Sequence, residues 1–72
     1  MNNYFLSIDK MYLDSRADQA HIYKVIRNGG GKVDGGSEYA IVFSFPDETS
    51  QTYTNNVLYR LGIGADIVVN AT

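Results

Sequence analysis

Tyr39-Ala40-Ile41-Val42-Phe43-Ser44-Phe45 runs directly into Pro46. Branched and aromatic side chains dominate the run, which is how a strand reads. Proline has no amide to give to a ladder, so the strand ends there. An earlier run, Tyr4-Phe5-Leu6-Ser7-Ile8, has the same character, and so does a later one, Ile67-Val68-Val69. A stretch of helical character follows each of the first two.

The first helix is expected over residues 15–28, with 10–13 as a connection. Asp14 or Ser15 can cap it, because a short side-chain oxygen accepts from the free amides of a first turn. Ile22, Val25 and Ile26 recur at helical spacing, with Ala17 and Ala20 between them. Asn28-Gly29 closes the helix, since glycine accepts the left-handed conformation. Gly29-Gly30-Gly31 and Asp34-Gly35-Gly36 then flank Lys32-Val33. Asp-Gly between extended pieces is a hairpin signal. The reading is a short strand over 31–34, a turn, and the long strand over 38–45. Asp47, Thr49 and Ser50 are candidate caps for a second helix, in which Tyr53, Val57, Leu58 and Leu61 share one face. Gly62 ends that helix, Ile63 folds back over its last turn, and a final strand covers 65–70.

The order β-α-β-β-α-β predicts an α+β, ferredoxin-like sandwich: one domain over 1–72, a four-stranded antiparallel sheet, two helices on one face. The first and third strands should be central, because they are the most apolar. Strand side chains alternate between faces. One set is Tyr4, Leu6, Ile8, Tyr39, Ile41, Phe43, Phe45, Ile67 and Val69, and it should lie beneath the helices. The other is Phe5, Ser7, Asp9, Ala40, Val42, Ser44, Asp66, Val68 and Asn70. Phe5, Ala40, Val42 and Val68 would leave an apolar patch on the uncovered face, and such patches mark interfaces. Phe5 and Val42 are therefore candidate contact residues.

Composition narrows the function classes. The chain has 72 residues, 44% of them hydrophobic, and no cysteine. That content builds a core and argues against disorder. Disulfides and thiolate zinc sites are excluded. A domain this small buries only about 60% of the surface of its unfolded chain, and small unstapled domains gain from self-association. A homodimer is the expectation. The net charge of −2 does not favour non-specific nucleic-acid binding. No run is long and apolar enough to span a membrane, and no secretory signal stands at Met1-Asn2-Asn3-Tyr4. The expected location is cytoplasmic, and no cofactor is implied.

Catalytic signals are sparse. His21 is the only histidine, and no spacing assigns it the orienting partner a general base requires. Gly29-Gly30-Gly31 and Gly62-Ile63-Gly64 follow helices, whereas phosphate loops precede them; they read as caps and turns. Lys24 and Arg27 suit the negative end of the first helix, with Lys32 nearby, and Asp47-Glu48 suit the positive end of the second. Six tyrosines are many for this length. A ring with a polar tip suits interfaces, and Tyr12, Tyr23 and Tyr59, off the main core stripes, are candidate exposed contacts.

Two resemblances carry further expectations. Tyr4-Phe5-Leu6-Ser7-Ile8-Asp9, a first strand ending in aspartate, resembles the small ferredoxin-like families that include SinR-like proteins, VapD-type ribonucleases and the CRISPR-associated adaptation subunit. That resemblance implies Asp9 near a dimer axis, as a catalytic and metal-holding candidate of a metal-dependent nuclease. Beyond Asp9 and Ser7 no oxygen ligands suggest themselves, and hard cations need several. The plainer reading is that Asp9 ends a strand or caps a turn. Ser37-Glu38-Tyr39-Ala40-Ile41-Val42 is similar to the start of the signature of RNA-recognition motifs, with departures at Ser37, Glu38 and Ser44. It implies RNA binding, with Tyr39 and Ile41 outward to stack on bases. The leading expectation is a small non-catalytic protein-interaction or regulatory domain, such as a mobile-element inhibitor of a host defence complex. Its partner is a protein, with nucleic acid as the alternative.

Overall fold

A computed structural model describes residues 2–14 and 17–71, and the side chains of 4–14 and 17–68. Ser15, and the side chains of Val69 and Asn70, lie outside them. The elements run β1 (Asn2–Asp9), α1 (Met11–Asp14), α2 (Gln19–Asn28), β2 (Lys32–Gly36), β3 (Ala40–Phe45), α3 (Glu48–Arg60) and β4 (Ala65–Ala71). The protein is α+β; its described residues form a four-stranded antiparallel sheet and three helices.

The sheet order is β2-β3-β1-β4. The two richest apolar strands are the central ones, where both neighbours shield them. β1 pairs with β3 from Tyr4↔Phe45 to Asp9↔Ala40, and with β4 from Asn2↔Ala71 to Ile8↔Ala65. Leu6 and Ile8 of β1 and Phe43 and Phe45 of β3 form one core cluster with Ile22 and Ile26 of α2, Leu58 of α3, Leu13 and Ile63. Both long helices therefore lie on one face of the sheet. Phe43 is 2% exposed, and sealing one such side chain from water contributes about 1.5–3 kcal/mol.

The helix following β1 is split. Where a connection and then one helix were expected, Met11–Asp14 forms a short helix of its own and α2 begins only at Gln19. Asp14 therefore ends α1 and does not cap α2. Asp9 starts α1: its Oδ1 accepts from the Met11 amide at 2.9 Å.

The two long helices close in the same way. Gly31 N–H donates to the Ile26 carbonyl and Gly30 N–H to Arg27. Likewise Ile63 N–H donates to Leu58 and Gly62 N–H to Tyr59. This paired pattern puts the residue after the cap in the left-handed region, with φ +91° at Gly30 and +82° at Gly62. Gly30, not Gly29, is the left-handed position. Gly29 and Gly31 are small for another reason, which is close packing. A Cβ on Gly31 would come within 2.6 Å of Ile26 Cγ2 and 2.9 Å of the Phe45 ring. Ile63 folds back as expected and is 1% exposed.

The hairpin differs from its sequence reading. The chain turns at residues 37–39, with Ser37 N–H donating to the Ala40 carbonyl at 2.8 Å. Asp34-Gly35 instead sits within β2, at a register shift between Val33 and Gly35. A bulge needs the same permissive backbone as a turn, so the dipeptide alone does not separate the two. Tyr39 consequently falls in the turn and is 72% exposed, against its expected place beneath the helices. Ile67 is also exposed, at 56%; it points to the helix side, but β4 is an edge strand and α3 does not reach across it.

α3 is rotated from its expected face. Asp47 caps it, its Oδ1 accepting from the Ser50 amide at 2.7 Å. The residues it buries are Gln51, Thr54 and Leu58, whereas Tyr53 is 64% exposed. Val57 and Leu61 are half-buried along the flank. Gln51 Nε2 donates to the Phe5 carbonyl at 2.8 Å and to the Val68 carbonyl at 3.3 Å. A polar side chain at the core is tolerated when its donors are satisfied, and here they tie α3 to β1 and β4 together.

Candidate interaction surface

The uncovered face of the sheet follows from strand alternation. Leu6, Ile8, Phe43 and Phe45 point to the helices, so Phe5, Ser7, Val42 and Ser44 point away. Direct cross-strand partners share a face, which sets two rows. Lys32, Ser44, Phe5 and Val68 form one, and Gly35, Val42, Ser7 and Asp66 the next. Asp9 and Ala40 lie beyond them. Phe5, Ala40 and Val42 are half-buried among their own neighbours, and Val68 is 37% exposed. The middle of the face is apolar or small, with Lys32 at one corner and Asp66 and Asp9 towards the opposite side.

The tyrosines divide differently from expectation. Tyr12 and Tyr23 pack against the core. Tyr23 meets Phe43 edge-to-face, with centroids 6.1 Å apart at 64°, and such a pair adds about 0.5–1.5 kcal/mol to its burial. Both rings are half-buried, Tyr12 on α1 and Tyr23 on α2, each turned towards the core. Tyr59 is exposed as expected, at 78%. Tyr39 and Tyr53, whose apolar rings suit the core, are exposed instead, Tyr39 as the RNA-recognition resemblance alone implies.

The remaining candidates are scattered. Asp9 is exposed, its carboxylate holding the start of α1. Among the described residues no three His, Asp or Glu side chains gather as a metal site. His21 stands on the exposed side of α2. The Asp47 carboxylate is drawn below its ordinary range, by the Ser50 amide and then the Ser50 hydroxyl, and that role is structural. A shallow trough follows the outer side of α3 past Glu48, Thr49, Thr52, Tyr53 and Asn56; with a single helix as its wall, it encloses nothing. A notch beside β2 is lined by Tyr23, Ile26, Val33 and Phe43. Among the described residues no helix is long and apolar enough to cross a membrane. Comparison with family models, curated proteins and solved structures gives no match.

Proposed function

We propose that this chain is a small protein-interaction domain of ferredoxin-like topology that works as a homodimer and offers its uncovered sheet face to a protein partner. One observation carries the reading: Phe5 has Val68 directly beside it and Val42 on the diagonal, on a sheet face that no described element covers. Apolar side chains placed in neighbouring positions of an open face gain from a partner that seals them. Half-buried residues lose little freedom on binding, so the contact costs little ordering. Strand order β2-β3-β1-β4 with both long helices on one side is what supports the ferredoxin-like label.

The test is capture from the source cell with the wild type, Val42→Lys and Tyr53→Lys as baits. Both substituted positions accept lysine without disturbing the core. The reading requires a partner retained by Tyr53→Lys and lost with Val42→Lys. Retention by Val42→Lys sinks it. Cleavage of RNA or DNA by the wild type with magnesium or manganese, abolished in Asp9→Ala, would put the nuclease reading in its place. Binding of RNA that weakens steeply with salt would favour nucleic acid instead.

A further inference from the structure

We propose that two copies of this chain join edge to edge through β4, antiparallel about a two-fold axis at Val68, to make one continuous sheet. The inference rests on the homodimeric part of the reading above and names its surface.

The two edges of the sheet are not alike. β2 spans only Lys32–Gly36, is broken by its register shift, and carries Lys32 and Asp34. Short length, bulges and charges are the devices that keep an edge from pairing. β4 has none of the first two. It spans Ala65–Ala71, pairs with β1 without a break, and has Asp66 as its only charge. Ile67 is 56% and Val68 37% exposed, and successive strand residues face opposite sides. β4 therefore shows apolar surface on both faces. One blunted edge and one open edge give a closed pair of copies, not a fibre.

The sequence of β4 selects the register. An axis at Val68 sets Val68 against Val68 of the second copy. It also aligns Ile67 with the position of Val69, and Asp66 with that of Asn70. In sequence, apolar positions thus pair with apolar ones, and Asp66 pairs with a position that carries no charge. An axis at Ile67 would instead set each Asp66 against a valine, stranding the acid beside apolar surface.

The helices agree with this geometry. Gln51 reaches both the Phe5 and Val68 carbonyls, so α3 lies above the seam between β1 and β4. Across a new β4–β4 seam the two α3 helices would stand about two strand spacings apart, or ~10 Å. Packed helices lie about 8–10 Å apart. Thr54 marks the flank of α3 turned to Gly29 and α2. Asn55 and Tyr59, four and eight residues after Gln51, lie on the other flank, towards the second copy. Both are uncharged, and Tyr59 at 78% exposure has surface to lose. The union also places the two Phe5–Val68 patches side by side, doubling the open face.

The chain has no cysteine, so single-cysteine variants report the register. Oxidised Val68→Cys should link into a covalent dimer. Ile67→Cys should not, because in this register its two copies sit diagonally, beyond the ~7 Å a disulfide spans. By sedimentation, Ile67→Lys should be a monomer with unchanged circular dichroism, while wild type and Val42→Lys stay dimeric. A wild type that is monomeric up to submillimolar concentration overturns the proposal, as does a dimer that survives Ile67→Lys. Linking by Ile67→Cys but not Val68→Cys overturns the register and with it the axis. A dimer lost in Val42→Lys but kept in Ile67→Lys removes this interface and leaves the sheet-face reading standing.

Discussion

Gly29, which caps α2, and Thr54, in the middle of α3, share one space: a Cβ on Gly29 would overlap the Thr54 hydroxyl oxygen. The two helices meet where one residue has no side chain and the other has a fully buried one. The Thr54 hydroxyl is itself without a hydrogen-bond partner.

Gly29→Ala should therefore destabilise the fold by about 1–3 kcal/mol, the usual cost of forcing atoms into a filled core. Adding Thr54→Ala should recover part of that loss, since it vacates the contested space. Urea unfolding of the two single variants and the double variant gives the coupling directly. Additive losses would mean the two residues do not share that space.

Thr54→Val keeps the shape and removes an unsatisfied polar atom. A buried hydroxyl without a partner is a net cost. The expected outcome is unchanged or raised stability, by up to about 1 kcal/mol. A clear loss in thermal unfolding would show that the hydroxyl finds a partner in solution.

Gln51 makes the opposite case, a buried polar side chain that works. Gln51→Leu should cost about 1–2 kcal/mol, because it withdraws donors from the Phe5 and Val68 carbonyls. Gln51→Glu should cost more at neutral pH, since a carboxylate would face two carbonyl oxygens. Its deficit should shrink on acidification, as the protonated acid regains a donor. Unfolding midpoints of both variants at neutral and mildly acid pH check the order.

The strands were legible in the sequence and the face of α3 was not, for one physical reason. Leu6, Ile8, Phe43 and Phe45 alternate with smaller or polar residues, and the period-two pattern coincides with burial. In α3 the inward positions are held by Gln51 and Thr54, so a search for apolar spacing rotates the helix towards Tyr53. At Gln51, hydrogen bonds to strand carbonyls replace apolar contact, and spacing does not reveal them. Tyr39 misled in the same direction, because ring chemistry alone does not tell a strand from the turn before it. Of the proposed interaction surface, Phe5 and Val42 could be read from alternation. Tyr12 and Tyr23 could not, since their burial depends on how the split first helix meets the sheet.

Acid should loosen the start of α3. The Ser50 amide and hydroxyl hold the Asp47 carboxylate below its ordinary pKa of 3.8. A depressed folded-state pKa means the cap's contribution is present in full above the unfolded value. It fades as pH falls from about 3.8 through the lower folded value. Asp47→Asn keeps a capping oxygen that does not titrate, so its melting temperature should fall less than that of wild type over that window. Parallel acid profiles would rule out a role for this carboxylate.

The account stands on a sheet with one sealed face and one open face. A soluble paramagnetic probe, read out on side-chain NMR signals, measures this directly. Val42 and Phe5 should relax strongly while Leu6, Phe43 and Leu58 stay protected. Protection of Val42 together with strong relaxation of Phe43 would contradict it.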